Sequence, residues 1–206
     1  MRRLVMAVTV RSVAILAMGA STLVSTLAST AACAADAVAG GSTPGFSKLV
    51  ALSAARLEIS RKVALTKWDS RQPVADPPQD PREKQVIQAA SEEAARMGLT
   101  GDIAPAFFAD QIEASKLIQF ALMAEWQRDG RAPPEPRADL KTDLRPALDA
   151  LRKPFIEELV ATQPLRTAVN CKREVSQAAQ TYGDAHRLPA LYLIALDRGL
   201  ARVCGD

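Results

Sequence analysis

The chain carries one histidine, no glycine-rich phosphate loop and no run of alternating β-branched residues. Each shortage excludes something. His186, alone in a polar stretch, cannot build a histidine cluster for a metal ion. It has no G-x-S-x-G partner either, so hydrolysis by a Ser-His-Asp arrangement is unsupported. Without a glycine-rich loop there is no backbone cradle for a nucleotide phosphate. The missing alternation removes the signature of a half-buried strand. If the chain is an enzyme, its reaction uses neither a cofactor nor a covalent nucleophile.

What is present begins with an export signal. Arg2, Arg3 and Arg11 form a basic start, no acid occurs before Asp36, and Ser12 to Leu27 is apolar or small throughout. Ala32-Cys33-Ala34 then supplies a small-x-small cleavage pattern, which predicts a signal peptide over 1–34 and a mature chain starting at Ala35. Read as a transmembrane helix, the apolar run is short, broken by Ser and Thr, and followed by no stop-transfer charges. Read as a lipoprotein signal, Cys33 would be acylated, but Thr30 stands where such signals carry Leu.

Cleavage changes the charge and the cysteine count together. The formal net charge of the whole chain is +3, and the signal contains three arginines and no acid. The mature part is therefore near neutral, which argues against a nucleic-acid binder. Of three cysteines, Cys33 leaves, and Cys171 with Cys204 remain as an even pair in an oxidising compartment. They are either two buried thiols or a bridge, which would be worth about 3–4 kcal/mol.

The mature part is the size of one domain. Residues 35–45 are small and unpatterned and read as a loose leader. From residue 46 to 206 the periodicity is helical, and Ala, Leu, Glu, Gln, Lys and Arg dominate. Six helices are expected, giving an all-α fold. The first runs over 46–70. Pro73, Pro77 and Pro78 then make a loop, and Pro81 opens a second helix that stops at Gly98. The third spans 105–129 and the fourth 140–161, with a kink at Pro154. The fifth (166–182) carries Cys171, and Cys204 directly follows the sixth (189–203).

Polar residues interrupt apolar faces at particular places. Phe108, Ile112, Ser115, Gln119, Leu122 and Trp126 share one inward face of the third helix, with Ser115 and Gln119 in its middle. A buried amide needs a partner, supplied by a neighbouring helix or by a ligand. On the first helix Arg56 and Lys67 lie eleven residues apart, on one face and about 16 Å from each other. Arg82-Glu83 opens the second helix, and Arg152-Lys153 follows Leu144, Leu148 and Leu151 in the fourth. Each cation alone reads as a solvated surface group.

Together, Arg56 in ARLEISRKVALTKW, Lys67, Arg82-Glu83, Ser115 and Gln119 resemble the pattern of the all-α (AroQ-type) chorismate mutases. The signal and the Cys171/Cys204 pair are similar to the exported gamma subclass. The resemblance implies conversion of chorismate to prephenate by an intramolecular [3,3] rearrangement, with no cofactor and no metal. It implies that Lys67 and Gln119 hydrogen-bond the ether oxygen, where negative charge grows as the C–O bond breaks. Arg56, Arg82 and a further cation would clamp the two carboxylates in the folded conformer. Ser115 would support a carboxylate contact, and Glu83 would accept from the ring hydroxyl. The further cation is assigned to Arg152, with Lys153 second, because LDALRKPFIEEL resembles the L-x-x-L-R start of the short cytoplasmic mutases. A contact from the proline-rich loop falls to Asp80 or Gln79. The subclass also implies a Cys171–Cys204 disulfide, a periplasmic or secreted location, and a homodimer with one full pocket per subunit.

The rival reading is a non-enzymatic periplasmic helical bundle acting as chaperone or adaptor. It accounts for the helices and export, but not for Ser115 and Gln119 on an inward stripe.

Overall fold

The computed structural model describes residues 45–205, except Asp76, Pro78 and Gln79. The signal peptide over 1–34, Cys33, most of the leader and the Gln79 alternative lie outside the described residues.

The described residues are helical, with no strand among them. Helix α1 (Ser47–Ser70) starts after Phe46 and ends where Arg71 turns left-handed at φ 54°. The Gln72 N–H there reaches back to the Lys67 carbonyl at 2.9 Å, satisfying a group the helix leaves open. Helix α2 (Arg82–Arg96) follows Pro81, and Gly98 at φ 79° ends the turn after it. The positive φ is a conformation glycine adopts without a Cβ penalty. Helix α3 (Ile103–Asp129) ends the same way at Gly130, φ 70°.

The fourth helix is segmented. A π-helical turn at Leu140–Leu144 leads into α4 (Arg145–Ala150), and α5 (Arg152–Ala161) follows after Leu151. Prolines explain both joints. Pro146 has no N–H for the Thr142 carbonyl, and Pro154 has none for Ala150, so the regular ladder fails one turn before each ring. The kink expected at Pro154 is thus expressed at Leu151. A short α6 (Gln163–Arg166), then α7 (Cys171–His186) and α8 (Ala190–Gly199), complete the chain.

The core lies between α1, α3 and α8, with α2, α5 and α7 packed around them. Phe107, Phe108 and Phe155 meet edge-to-face, their ring centroids 5.1–5.9 Å apart. At the α3–α8 crossing, a Cβ on Gly199 would sit 2.9 Å from the Gln111 amide nitrogen. That amide donates to the Gly199 carbonyl at 2.9 Å and to the Ser53 hydroxyl at 3.0 Å, tying three helices together. Beside it, buried Asp110 receives Arg198 and Arg202 from the other side of the crossing. Burial pushes the Asp110 carboxyl up, but the two guanidiniums outweigh it and hold it below its ordinary value.

Cys171 and Cys204 are joined in a disulfide, Cα–Cα 5.8 Å, which ties the start of α7 to the segment after α8. A strap over residues 131–139 runs back along α1. Arg61 pairs with Glu135, Arg137 donates to Asp69 at 2.7 Å, and the Thr66 hydroxyl donates to the Ala138 carbonyl at 2.8 Å. The strap fixes where the π-turn begins, and Asp139 caps it by accepting from the Lys141 and Thr142 N–H groups.

Candidate active site

Helices α1, α2, α3 and α4, with the first residue of α5, enclose an open cleft holding about 850 Å³ of empty space, part of it continuous with solvent. All seven residues expected from the sequence line it: Arg56, Lys67, Arg82, Glu83, Ser115, Gln119 and Arg152. Lys153 does not line it; it pairs with Glu157 one turn along on the exposed face of α5. His186 is remote from the cleft and stacks on Tyr182, centroids 4.1 Å apart.

Burial separates these groups from ordinary surface charges. Arg56 is 6% exposed and Lys67, Ser115 and Gln119 are each 7% exposed. Arginine and lysine are rarely this buried unless paired. Arg56 is buried without a hydrogen bond at Nε. Burial pulls its guanidinium down from its ordinary value to about 10; Asp149 offsets part of that, and Arg82 adds to it. The group stays charged at neutral pH. Lys67 donates to the Val74 carbonyl at 2.7 Å, so the proline-rich loop folds back over the lysine.

On α3, the Ser115 hydroxyl donates to the Gln111 carbonyl at 2.8 Å. Gln119 Nε2 donates to the Ser115 carbonyl at 3.1 Å, and its Oε1 is buried with no partner. A primary amide has two N–H donors, so one remains for a ligand. A buried orphan acceptor in a polar cleft is costly.

The other charges come in pairs. Lys116, one residue after Ser115, holds Glu83 at 2.8 Å and Glu113 at 3.1 Å. Arg152 donates Nε to Glu93 at 2.7 Å. Arg82 faces Asp149, with Nη2 3.3 Å from both carboxylate oxygens. Arg145 also lines the cleft, and no ion pair involves it among the described residues. Apolar walls come from Val63, Val86, Phe108, Ile112 and Leu148.

Four polar liners were not singled out in the sequence: Ser60, Lys116, Arg145 and Asp149. Arg145 and Asp149 are four apart and therefore on one face of α4. That spacing is a signal, but it is the ordinary pattern of a solvated helix face. Asp80 accepts from the Arg82 N–H at 2.9 Å and does not line the cleft.

Such a site suits a small molecule with two negative charges. Cations line it on α1, α2, α3, α4 and α5, apolar walls separate them, and two buried donors lie deep inside.

The chain is similar to proteins of known kind. The family model described as chorismate mutase type II matches residues 47–120. The secreted chorismate mutase of Mycobacterium tuberculosis is 28% identical over 163 residues, 79% of this chain and 79% of that protein. The secreted chorismate mutase of Mycolicibacterium smegmatis is 27% identical over 156 residues, 76% of this chain and 84% of that one. Among solved structures, a chorismate mutase from Burkholderia phymatum is 40% identical with a TM-score of 0.74, covering 78% of this chain and 96% of that chain. One from Burkholderia thailandensis is 36% identical with a TM-score of 0.72, covering 77% and 98%.

Proposed function

Because the chain belongs to the all-α chorismate mutases and converts chorismate to prephenate, we propose that the α1–α4 cleft is where the rearrangement occurs. The observation that carries this is the placement of Arg56, Lys67 and Gln119. Three buried polar side chains from two helices line one cavity.

The reaction needs no proton transfer. The ether C–O bond breaks as a C–C bond forms, and negative charge grows on the ether oxygen. Lys67 supplies a fixed positive charge and Gln119 its second N–H to that oxygen, in a site where few waters screen them. The Gln119 amide donates irrespective of pH near neutrality. Arg56 and Arg82 clamp one carboxylate, and Arg152 and Arg145 receive the other. Ser115 accompanies a carboxylate contact. Glu83, held by Lys116, accepts from the ring hydroxyl. The clamp selects the folded conformer in which the reacting carbons meet, a contribution made before any charge develops.

The mature protein works outside the cytoplasm, after cleavage between Ala34 and Ala35. Secreted relatives, the basic-apolar-small start and the Cys171–Cys204 disulfide support this reading. No helix among the described residues is long and apolar enough to cross a membrane. N-terminal sequencing of the exported protein, reading Ala-Asp-Ala-Val, is the expected result.

All seven expected residues line the cleft from a single chain, which supports a homodimer with one complete cleft per subunit. Light scattering distinguishes this from a monomer. A chaperone or adaptor bundle has no use for buried donors in a charged cleft. The decisive assay follows loss of chorismate absorbance with the purified mature protein, the Lys67→Ala variant and the Gln119→Ala variant. Rapid turnover by the first and a loss of about a hundredfold or more in each variant is expected. Undiminished turnover by Lys67→Ala would remove the chemistry from this cleft.

A further inference from the structure

The cleft contains a carboxylate that a dianionic ligand has no reason to welcome. Asp149 lines it from α4 and faces Arg82 at the start of α2. Its setting differs from that of the other acids nearby. Glu93 and Glu83 meet their cations at 2.7 and 2.8 Å, whereas both Asp149 oxygens stand 3.3 Å from a single Arg82 nitrogen. The side chains of Asp149 and Arg82 are 41% and 30% exposed, so water screens their attraction. A long, half-exposed pair of this kind is weak and easily exchanged.

The direction of the contact matters as well. Asp149 lies one helical turn after Arg145, on the same face of α4, where an intrahelical pair would form readily. No such pair is present; the carboxylate is turned across the cleft to Arg82. There it also offsets the buried charge of Arg56, which Arg82 would otherwise repel. Asp149 therefore supplies negative charge to two arginines of the clamp.

We infer that Asp149 is a displaceable internal counter-ion: it pairs with Arg82, is displaced by a ligand carboxylate, and thereby lowers the affinity for substrate and product. The inference rests on the reading of Arg82 as part of the carboxylate clamp. Its consequence is physical. A carboxylate that binds Arg82 must replace an existing interaction and then sit near a like charge. Both effects weaken binding of the dianion and hasten loss of prephenate, which carries the same two charges.

The test is a double-mutant cycle on equilibrium binding of prephenate by calorimetry, together with KM for chorismate. Asp149→Asn keeps the shape and removes the charge. It is expected to lower the prephenate Kd and the KM about two- to fivefold. Damage to the fold would not tighten binding. In an Arg82→Ala background the same change is expected to have a smaller effect, because only the like-charge repulsion is left to remove. If Asp149→Asn weakens binding or leaves it unaltered while Arg82→Ala weakens it, the counter-ion proposal is overturned and the clamp stands. If Arg82→Ala itself leaves binding unaltered, the clamp reading of Arg82 fails and the proposal falls with it.

Discussion

Arg152 gives its Nε to Glu93 at 2.7 Å, while Arg145, seven positions earlier in the chain, lines the same cleft with no carboxylate of its own. The free-energy consequences differ. A ligand meeting Arg145 displaces no ion-pair partner among the described residues, whereas Arg152 is already partly neutralised and is held in place by Glu93.

Replacing either arginine by alanine is therefore expected to raise KM, with the larger effect at Arg145. Loss of a charge-assisted contact there is worth about 2 kcal/mol, or about thirtyfold. Arg152→Ala should show a smaller rise in KM and a lower melting temperature, because Glu93 is left without its partner. Steady-state kinetics and thermal denaturation of the two variants separate these outcomes; equal KM and equal melting points would contradict them.

Arg56 sets function against stability. Burial lowers its folded-state value to about 10, below the ordinary value of an arginine, so the fold holds this proton less tightly than the unfolded chain does. Below about pH 10 the charge therefore costs stability, and that cost is relieved as pH rises above about 10 towards the ordinary arginine value. Arg56→Met should melt a few degrees higher at neutral pH while losing about a hundredfold or more in kcat/KM. A melting point that falls would mean that the guanidinium makes a net stabilising contribution.

The disulfide should act on stability alone. Cys171 and Cys204 lie outside the cleft, and the bridge closes a loop with a sequence separation of 33. Cys171→Ala/Cys204→Ala is expected to lose about 3–4 kcal/mol of unfolding free energy. Turnover at temperatures where the variant remains folded should match that of the parent. Urea titration followed by the rearrangement assay checks both points.

The parts of the site legible in the sequence were those where a buried helix face was interrupted by polarity. Ser115 and Gln119 break an apolar stripe on α3, and Arg56 with Lys67 repeats on one face of α1, so helical geometry alone brings them to a common side. Residues on α4 were not legible in this way. Arg145 and Asp149 sit on a partly exposed helix, where a basic and an acidic residue four apart are unremarkable. Their entry into the cleft depends on the strap, whose Arg61–Glu135, Asp69–Arg137 and Thr66–Ala138 contacts join positions about seventy residues apart. Local periodicity carries no information at that distance. The break before α5 was half legible: proline marks a failing ladder, but the failure falls a turn earlier, at the carbonyl that its missing N–H leaves unpaired.

The role of Gln119 is tested most directly by the pH–rate profile of Gln119→Glu. The amide already donates one N–H to the Ser115 carbonyl and has a second for the ether oxygen. A glutamate in its place donates only when protonated, and when ionised it sets a negative charge beside the developing one. Wild-type activity should remain level through neutral pH, while the variant should be active in acid and lose activity steeply as pH rises. Full activity of Gln119→Glu at pH 8 would contradict the assignment of this side chain to the ether oxygen.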